Sequence, residues 1–368
     1  MLKNQAKKAL LSMFSTRSLG IEITDREVRW VELDRQGGGP PNIVSMEKEP
    51  LPEGAVDEGR ILQPQAVIQA LQTVRHRSGS RAKKVHLLLP STVTMVRFLK
   101  MPDVPAKDLK KMIDFELRFN IPLPFEKPYY DFAKLPAPKS AGEQPEAAPV
   151  TEPNPWNLGM QEAAASSENG VDEKPLKQCE VMIVAAPLDT IMEYAAVIRS
   201  AGLRPASIEI KALSLYRVVE RLRPVKPNST IVMIDITSTY ADIGIYREGA
   251  LRITRNKPIR FPDTTDSEEA FDDWTRFEFQ SACQDLASEV ERFINFYRYS
   301  LDNREHEVQQ VLLSGEPSQL RNIAEFFEER FPFETRELRL DDKLRIPSGA
   351  PDIIRFVGPL GLALRGQE

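Results

Sequence analysis

The 368-residue chain is poor in the residues that most often carry chemistry. Its two cysteines, Cys179 and Cys283, show neither CxxC spacing nor a paired framework, so they indicate a reduced compartment rather than a disulfide scaffold. Three histidines, His76, His86 and His306, lie at no metal-ligand spacing from one another, which argues against zinc chemistry and a Ser-His-Asp triad. No GxSxG elbow and no GxxxxGKS/T loop occurs. No apolar run approaches the ~20 residues needed to cross a bilayer. An excess of positive charge is missing as well. The 49 basic residues are outnumbered by 54 acidic ones, a net charge of −5, without the basic stripe that offsets phosphates in nucleic-acid binders. What is present is an ordinary globular mixture, 41% hydrophobic and 28% charged, in a length that suits one large domain or two to three ordinary ones.

Two segments stand apart in composition. Residues 1–18 are lysine-containing and too weakly apolar for a signal peptide; they read as a frayed tail, the alternative being a short basic amphipathic helix on a membrane surface. Lys134–Gln178 contains seven prolines among Ala, Glu, Ser and Gly, which predicts a flexible insertion with no core of its own. Its Trp156 reads as a solvated linker aromatic, or else as a docking anchor.

The flanks of that insertion carry folded patterns. Val85–Pro90 reads as a short buried strand with Thr94–Leu99 as its partner. A helix is predicted from Pro105 to Phe119, with Leu109, Met112, Ile113 and Leu117 on one face and Pro122 and Pro124 beyond its end. Glu180–Ala186 reads as another strand. Thr190 and Glu193 then form a capping-box pattern, and Gly202 supplies the stop. Later, Leu286, Val290, Phe293, Ile294, Tyr297 and Leu301 mark one stripe of a long helix, read as core packing. Val311–Gly315 follows as a strand, and Leu360–Leu364 signals a last helix.

The most informative pattern is an internal echo. Leu19–Leu33 (LGIEITDREVRWVEL) and Ile231–Tyr246 (IVMIDITSTYADIGIY) each run an apolar strand into an acidic residue, then Ile-Thr and a polar turn, then a second strand. A further turn follows in each, Gln36-Gly37-Gly38-Gly39 and Glu248-Gly249, before third strands near Ile43 and Leu251. The two copies are too far apart for a solenoid repeat and predict two related lobes.

With these residues, the chain resembles the actin/Hsp70/hexokinase ATPase fold and, within it, the PilM family of type IV pilus assembly. The supporting stretches are Phe115-Glu116 leading to Ile121-Pro122-Leu123-Pro124-Phe125-Glu126, Ala201-Gly202-Leu203-Arg204-Pro205, Ala212-Leu213-Ser214-Leu215-Tyr216-Arg217, Leu313-Ser314-Gly315 and Gly361-Leu362-Ala363-Leu364-Arg365-Gly366. The resemblance implies an α/β, two-lobed, ribonuclease H-like architecture with an inserted SHS2-type α+β subdomain. It divides the chain into a tail (1–18), a first lobe (19–83 and 180–228), an insert (84–179) that holds the Pro-rich stretch, and a second lobe (229–368) whose terminal helix returns to the first. It also implies a cytoplasmic scaffold at the inner face of the plasma membrane. The implied partner is a bitopic, PilN-like inner-membrane protein, whose cytoplasmic tail would lie between the first lobe and the insert. The pilus assembly ATPase and a second copy of the chain are further implied partners. No individual partner-contact residue is assigned.

ATP with Mg²⁺ is the cofactor of that fold, held at turns where this chain departs from the family pattern. Asp-Ile-Gly is replaced by Glu22-Ile23-Thr24 in the first turn and by Asp235-Ile236-Thr237 in the second. Ser-Gly-Gly is replaced by Ser314-Gly315-Glu316-Pro317 on the adenosine side. A β-branched threonine takes up phosphate space, Glu316 adds a carboxylate, and Pro317 lacks an N–H. The expectation is a lost or weakened nucleotide site, no catalytic residue and no resident metal, with Thr24 and Thr237 capping their hairpins through their hydroxyls. Two other classes compete: an ATP-hydrolysing or kinase member of the fold, and a filament protein of the FtsA kind, against which the ending Arg365-Gly366-Gln367-Glu368 counts because it is no amphipathic tail.

Overall fold

The computed structural model describes residues 16–35, 41–135, 177–223, 225–226, 229–262, 273–301, 303–340, 344–347 and 349–367. The expectations for most of the N-terminal tail, the Gly37-Gly38-Gly39 turn, the body of the Pro-rich segment and Trp156 lie outside those residues.

The chain opens with β1 (Thr16–Ile23), β2 (Glu27–Arg35) and β3 (Asn42–Pro50), an antiparallel meander. The strand therefore starts within the expected tail, at Thr16. Two short strands, β4 (Val56–Asp57) and β5 (Arg60–Ile61), form a small hairpin. Helix α1 (Pro64–Ser78) then begins with proline at a position that needs no N–H and stops at Gly79, whose φ of 60° suits glycine. It crosses to β6 (Lys84–Leu89), which pairs parallel to β1.

Next come β7 (Met95–Pro102), α2 (Ala106–Phe119), β8 (Pro128–Lys134) and β9 (Gln178–Pro187); the three strands form a sheet in the order β7-β9-β8. Leu99–Pro122 and the described residues within 133–181 make a smaller compact unit. Its helix α2 buries Leu109, Ile113 and Leu117, as the spacing predicts, and leaves Phe115 and Phe119 exposed with ring centroids 4.8 Å apart.

The larger unit resumes with α3 (Leu188–Ser200), β10 (Arg204–Ile210) and α4 (Lys211–Leu222). A second meander follows, β11 (Thr230–Ile236), β12 (Tyr240–Arg247) and β13 (Ala250–Pro258). The chain finishes with α5 (Asp273–Asn295), β14 (Val308–Gly315), α6 (Leu320–Arg330), β15 (Glu334–Glu337) and α7 (Val357–Arg365).

The echo is complete at the level of sheets. One five-stranded sheet runs β3-β2-β1-β6-β10 and the other runs β13-β12-β11-β14-β15, antiparallel through the meander and parallel beyond it. Each sheet has its own core. Trp30, Val67, Leu71 and Tyr194 anchor the first; Val290, Phe293, Tyr297 and Phe327 anchor the second. The terminal helix α7 returns to the first lobe, packed on β1 and α4. Its approach is limited by two glycines: a Cβ at Gly20 would stand 2.0 Å from the Pro359 carbonyl oxygen, and one at Gly361 2.0 Å from the Ser214 carbonyl oxygen.

Four local expectations are corrected. The strand at Val85–Leu89 is not the partner of Thr94–Leu99 and does not open the insert at Lys84. It is the fourth strand of the first sheet, between β1 and β10, the counterpart of β14. A short apolar run looks alike in either setting, and only strand pairing distinguishes them. Thr190 is not a cap: α3 already starts at Leu188, after Pro187. The helical stripe does not reach Leu301, because Phe296–Ser300 forms a π turn whose extra residue rotates the following side chains, and Leu301 is exposed.

Candidate functional site: the facing hairpin turns

Both hairpins place their acidic residue in the same register. Glu22 lies directly across from Arg29 in the β1–β2 pair, and Asp235 directly across from Asp242 in the β11–β12 pair. The turns match atom for atom as well. The Thr24 hydroxyl donates to the Glu27 carbonyl (3.0 Å) and accepts from the Glu27 (3.0 Å) and Arg26 (3.3 Å) amides. The Thr237 hydroxyl donates to the Tyr240 carbonyl (3.0 Å) and accepts from the Tyr240 (3.1 Å) and Thr239 (3.4 Å) amides. The backbone N–H groups of Thr24 and Thr237 also bond inward, to Glu27 and Tyr240 (2.9 and 2.8 Å). The expected role of the two threonines as hairpin caps holds.

Between the turns sits Lys211, the first residue of α4, 5% exposed. Its ammonium reaches Glu22 at 2.8 Å on the first lobe, and Asp235 at 2.9 Å and Asp242 at 3.4 Å on the second. Ser314 donates to the other Asp235 oxygen (2.7 Å) and Asn256 to the other Asp242 oxygen (2.9 Å). A second cation completes the network. Arg29, 1% exposed, meets Glu27 (2.7 Å), Glu22 (3.4 Å) and, across the lobes, Glu316, while donating to the Arg355 carbonyl (3.1 Å). A third link joins the Tyr240 hydroxyl to Asp25, whose other oxygen accepts from the Gly59 amide (3.2 Å).

The electrostatics follow from this geometry. Burial opposes the charge on Lys211, but Asp235, Glu22 and Asp242 outweigh it and hold the ammonium well above its ordinary value. Arg29 is held up in the same way, against burial, by Glu22, Glu316 and Glu27. Asp235 is lowered despite its burial because Lys211 and Ser314 favour the carboxylate. Asp242 is raised, since burial there exceeds the help of Lys211 and Asn256.

Of the residues singled out in the sequence, Glu22, Asp235 and Glu316 are thus brought together through two cations, while Thr24 and Thr237 each close their own turn. Gly315 sits at φ 128°, where a Cβ would stand 2.0 Å from the Ile236 carbonyl oxygen, and the Glu316 amide is bound to that same oxygen (2.7 Å). Sequence reading missed Lys211, Arg29, Asp242 and Asn256. A signal existed for two of them: extending the echo past the turns pairs Arg29 with Asp242 at equal offset from Glu22 and Asp235. Lys211 had none, because α4 lies outside the repeat. Among the described residues, no group of three or more His, Cys, Asp or Glu is placed to hold a metal ion.

Two five-stranded sheets in one series, with acid-tipped turns facing each other, define the actin-like ATPase class of fold. The family model described as type IV pilus assembly protein PilM matches residues 20–148. The solved PilM-PilN type IV pilus biogenesis complex is similar over 95% of this chain and 98% of that chain, with a TM-score of 0.72 and 22% identity. The resemblance to PilM read from the sequence is borne out by both. The ethanolamine utilization protein EutJ of Carboxydothermus hydrogenoformans aligns over 95% of this chain and 89% of its own, with a TM-score of 0.48 and 12% identity. The cytoplasmic domain of EpsL, an inner-membrane component of the Vibrio cholerae type II secretion system, aligns over 95% and 94%, with a TM-score of 0.42 and 8% identity. Among the described residues, no helix is long and apolar enough to cross a membrane.

Proposed function

We propose that the chain is a non-catalytic, actin-like scaffold of type IV pilus assembly, or of a related type II secretion system. In this reading it works in the cytoplasm at the inner face of the membrane and grips the cytoplasmic N-terminal tail of a bitopic, PilN-like partner. The observation that carries the reading is the near-complete alignment with a chain of the PilM-PilN type IV pilus biogenesis complex. An extended tail gains affinity from main-chain hydrogen bonds and from pockets for alternate side chains. Titration of a synthetic peptide of that tail against the full chain should give micromolar or tighter binding, after an ordering cost of ~2–5 kcal/mol. Absence of binding by calorimetry would remove the reading.

ATP with Mg²⁺ does not fit this site. Phosphates need unengaged turn N–H groups, and a hydrated Mg²⁺ needs carboxylates open to its waters. Here the amides of Arg26 and Glu27 are bound to Thr24 and those of Thr239 and Tyr240 to Thr237, and the carboxylates to Lys211 and Arg29. Among the described residues, five carboxylates, Glu22, Glu27, Asp235, Asp242 and Glu316, surround the two buried cations, with the half-exposed Lys48 beside Glu27 (3.8 Å), an unwelcoming field for a triphosphate. With ATP-Mg at ~1 mM and a millimolar or weaker Kd, linkage adds ~0.4 kcal/mol or less, so the melting temperature should hardly move. A clear micromolar isotherm would instead restore the ATP-using alternative.

A further inference from the structure

We propose that the cleft between the two lobes is closed from within: Lys211 and Arg29 take over the lobe-joining part that a bound ligand plays in an open cleft. Direct links between side chains cross from lobe to lobe at this level. Lys211 on α4 reaches Asp235 and Asp242 on the second meander, Arg29 on β2 reaches Glu316 after β14, and Asp25 meets Tyr240. The two cations are almost wholly buried, and each also binds Glu22, so their links form one connected set rather than separate surface pairs. Connected, buried, hydrogen-bonded charges hold a unique arrangement in a way that isolated exposed pairs do not. The Lys211 ammonium occupies the point where Glu22 and Asp235 converge, so the acidic residues of both turns are satisfied with nothing added. The lobes are accordingly held at one fixed closure, and the chain is a rigid platform instead of a nucleotide-driven hinge.

This inference rests on the reading that nucleotide does not fill the cleft, and its test separates the two. Hydrogen exchange would be followed at the amides of 22–27 and 234–240 in the full chain, in K211M, and in a K211M/D235N/D242N variant. K211M removes the link and leaves buried carboxylates without a counter-ion, so its melting temperature should fall by roughly 5–10 °C. The triple variant also removes the Asp235 and Asp242 charges, leaving Glu22 paired with Arg29, and should recover most of that loss. Because neither variant keeps the link, exchange at both turns should be at least ~10-fold faster than in the parent chain in each. Were Lys211 only a counter-ion, exchange would return to the parent rate in the triple variant, and the proposal would be overturned. Should K211M not fold, the triple variant alone decides. Slower exchange of the parent turns on adding 1 mM ATP-Mg would overturn both this inference and the absence of a nucleotide. Loss of tail-peptide binding by the parent chain, with exchange as expected, would count against the scaffold reading alone.

Discussion

Replacing Arg29 by methionine is expected to destabilise the protein by about 3–5 kcal/mol, the cost of removing one member of a buried charge network. The side chain is 1% exposed, and its three carboxylate partners, Glu22, Glu27 and Glu316, have side chains at most 16% exposed. Methionine fills much of the same volume, so little of the loss comes from packing. Most of it comes from carboxylates left in a poorly hydrated place. Lysine at this position keeps the charge but not the flat fork that addresses three acids and the Arg355 carbonyl, so R29K should lie between the parent and R29M. R29M/E316Q should be more stable than R29M, because one orphaned charge is gone. Urea unfolding of the four proteins checks this ordering. A cost below ~1 kcal/mol for R29M would mean that water reaches the network and screens it as it screens surface pairs.

The second large effect is steric. Gly361→Val is expected to cost 4 kcal/mol or more, on the order of the largest single-site losses, or to prevent folding altogether. The added Cβ would meet the Ser214 carbonyl oxygen at 2.0 Å, and the backbone of α4 cannot step aside without releasing its own hydrogen bonds. Arg217 donates to the Gly361 carbonyl (3.0 Å) and Ser214 to the Gly358 carbonyl (2.6 Å), so the contact is fastened on both sides. Gly20→Val on β1 should behave alike, since its Cβ would lie 2.0 Å from the Pro359 carbonyl oxygen. Gly79→Ala is the comparison: nothing lies within 4 Å, and only the left-handed φ of 60° opposes the change, at ~1 kcal/mol. If G361V and G79A proved equally mild in thermal unfolding, α7 would not be seated on β1 and α4 as described.

The internal echo between Leu19–Leu33 and Ile231–Tyr246 was legible in the sequence because hairpin strands and their turns are local. Alternating apolar residues, an acid and Ile-Thr before the turn need no distant partner to be recognised. The helix faces of α2 and α5 were legible for the same reason, and so was the capping part of Thr24 and Thr237, which bond within their own turns. The place of Val85–Leu89 was not legible, since a buried strand looks the same in either sheet until its neighbours are known. Nor was the heart of the site. Lys211 opens an amphipathic helix and by sequence is one surface lysine among many. Tertiary structure alone carries it to within 2.9 Å of acids contributed by both lobes, far away along the chain. Local periodicity thus determined the elements and their repetition. Long-range packing decided which charges meet, because an ion pair depends on distance and burial, and neither is written in the order of the residues.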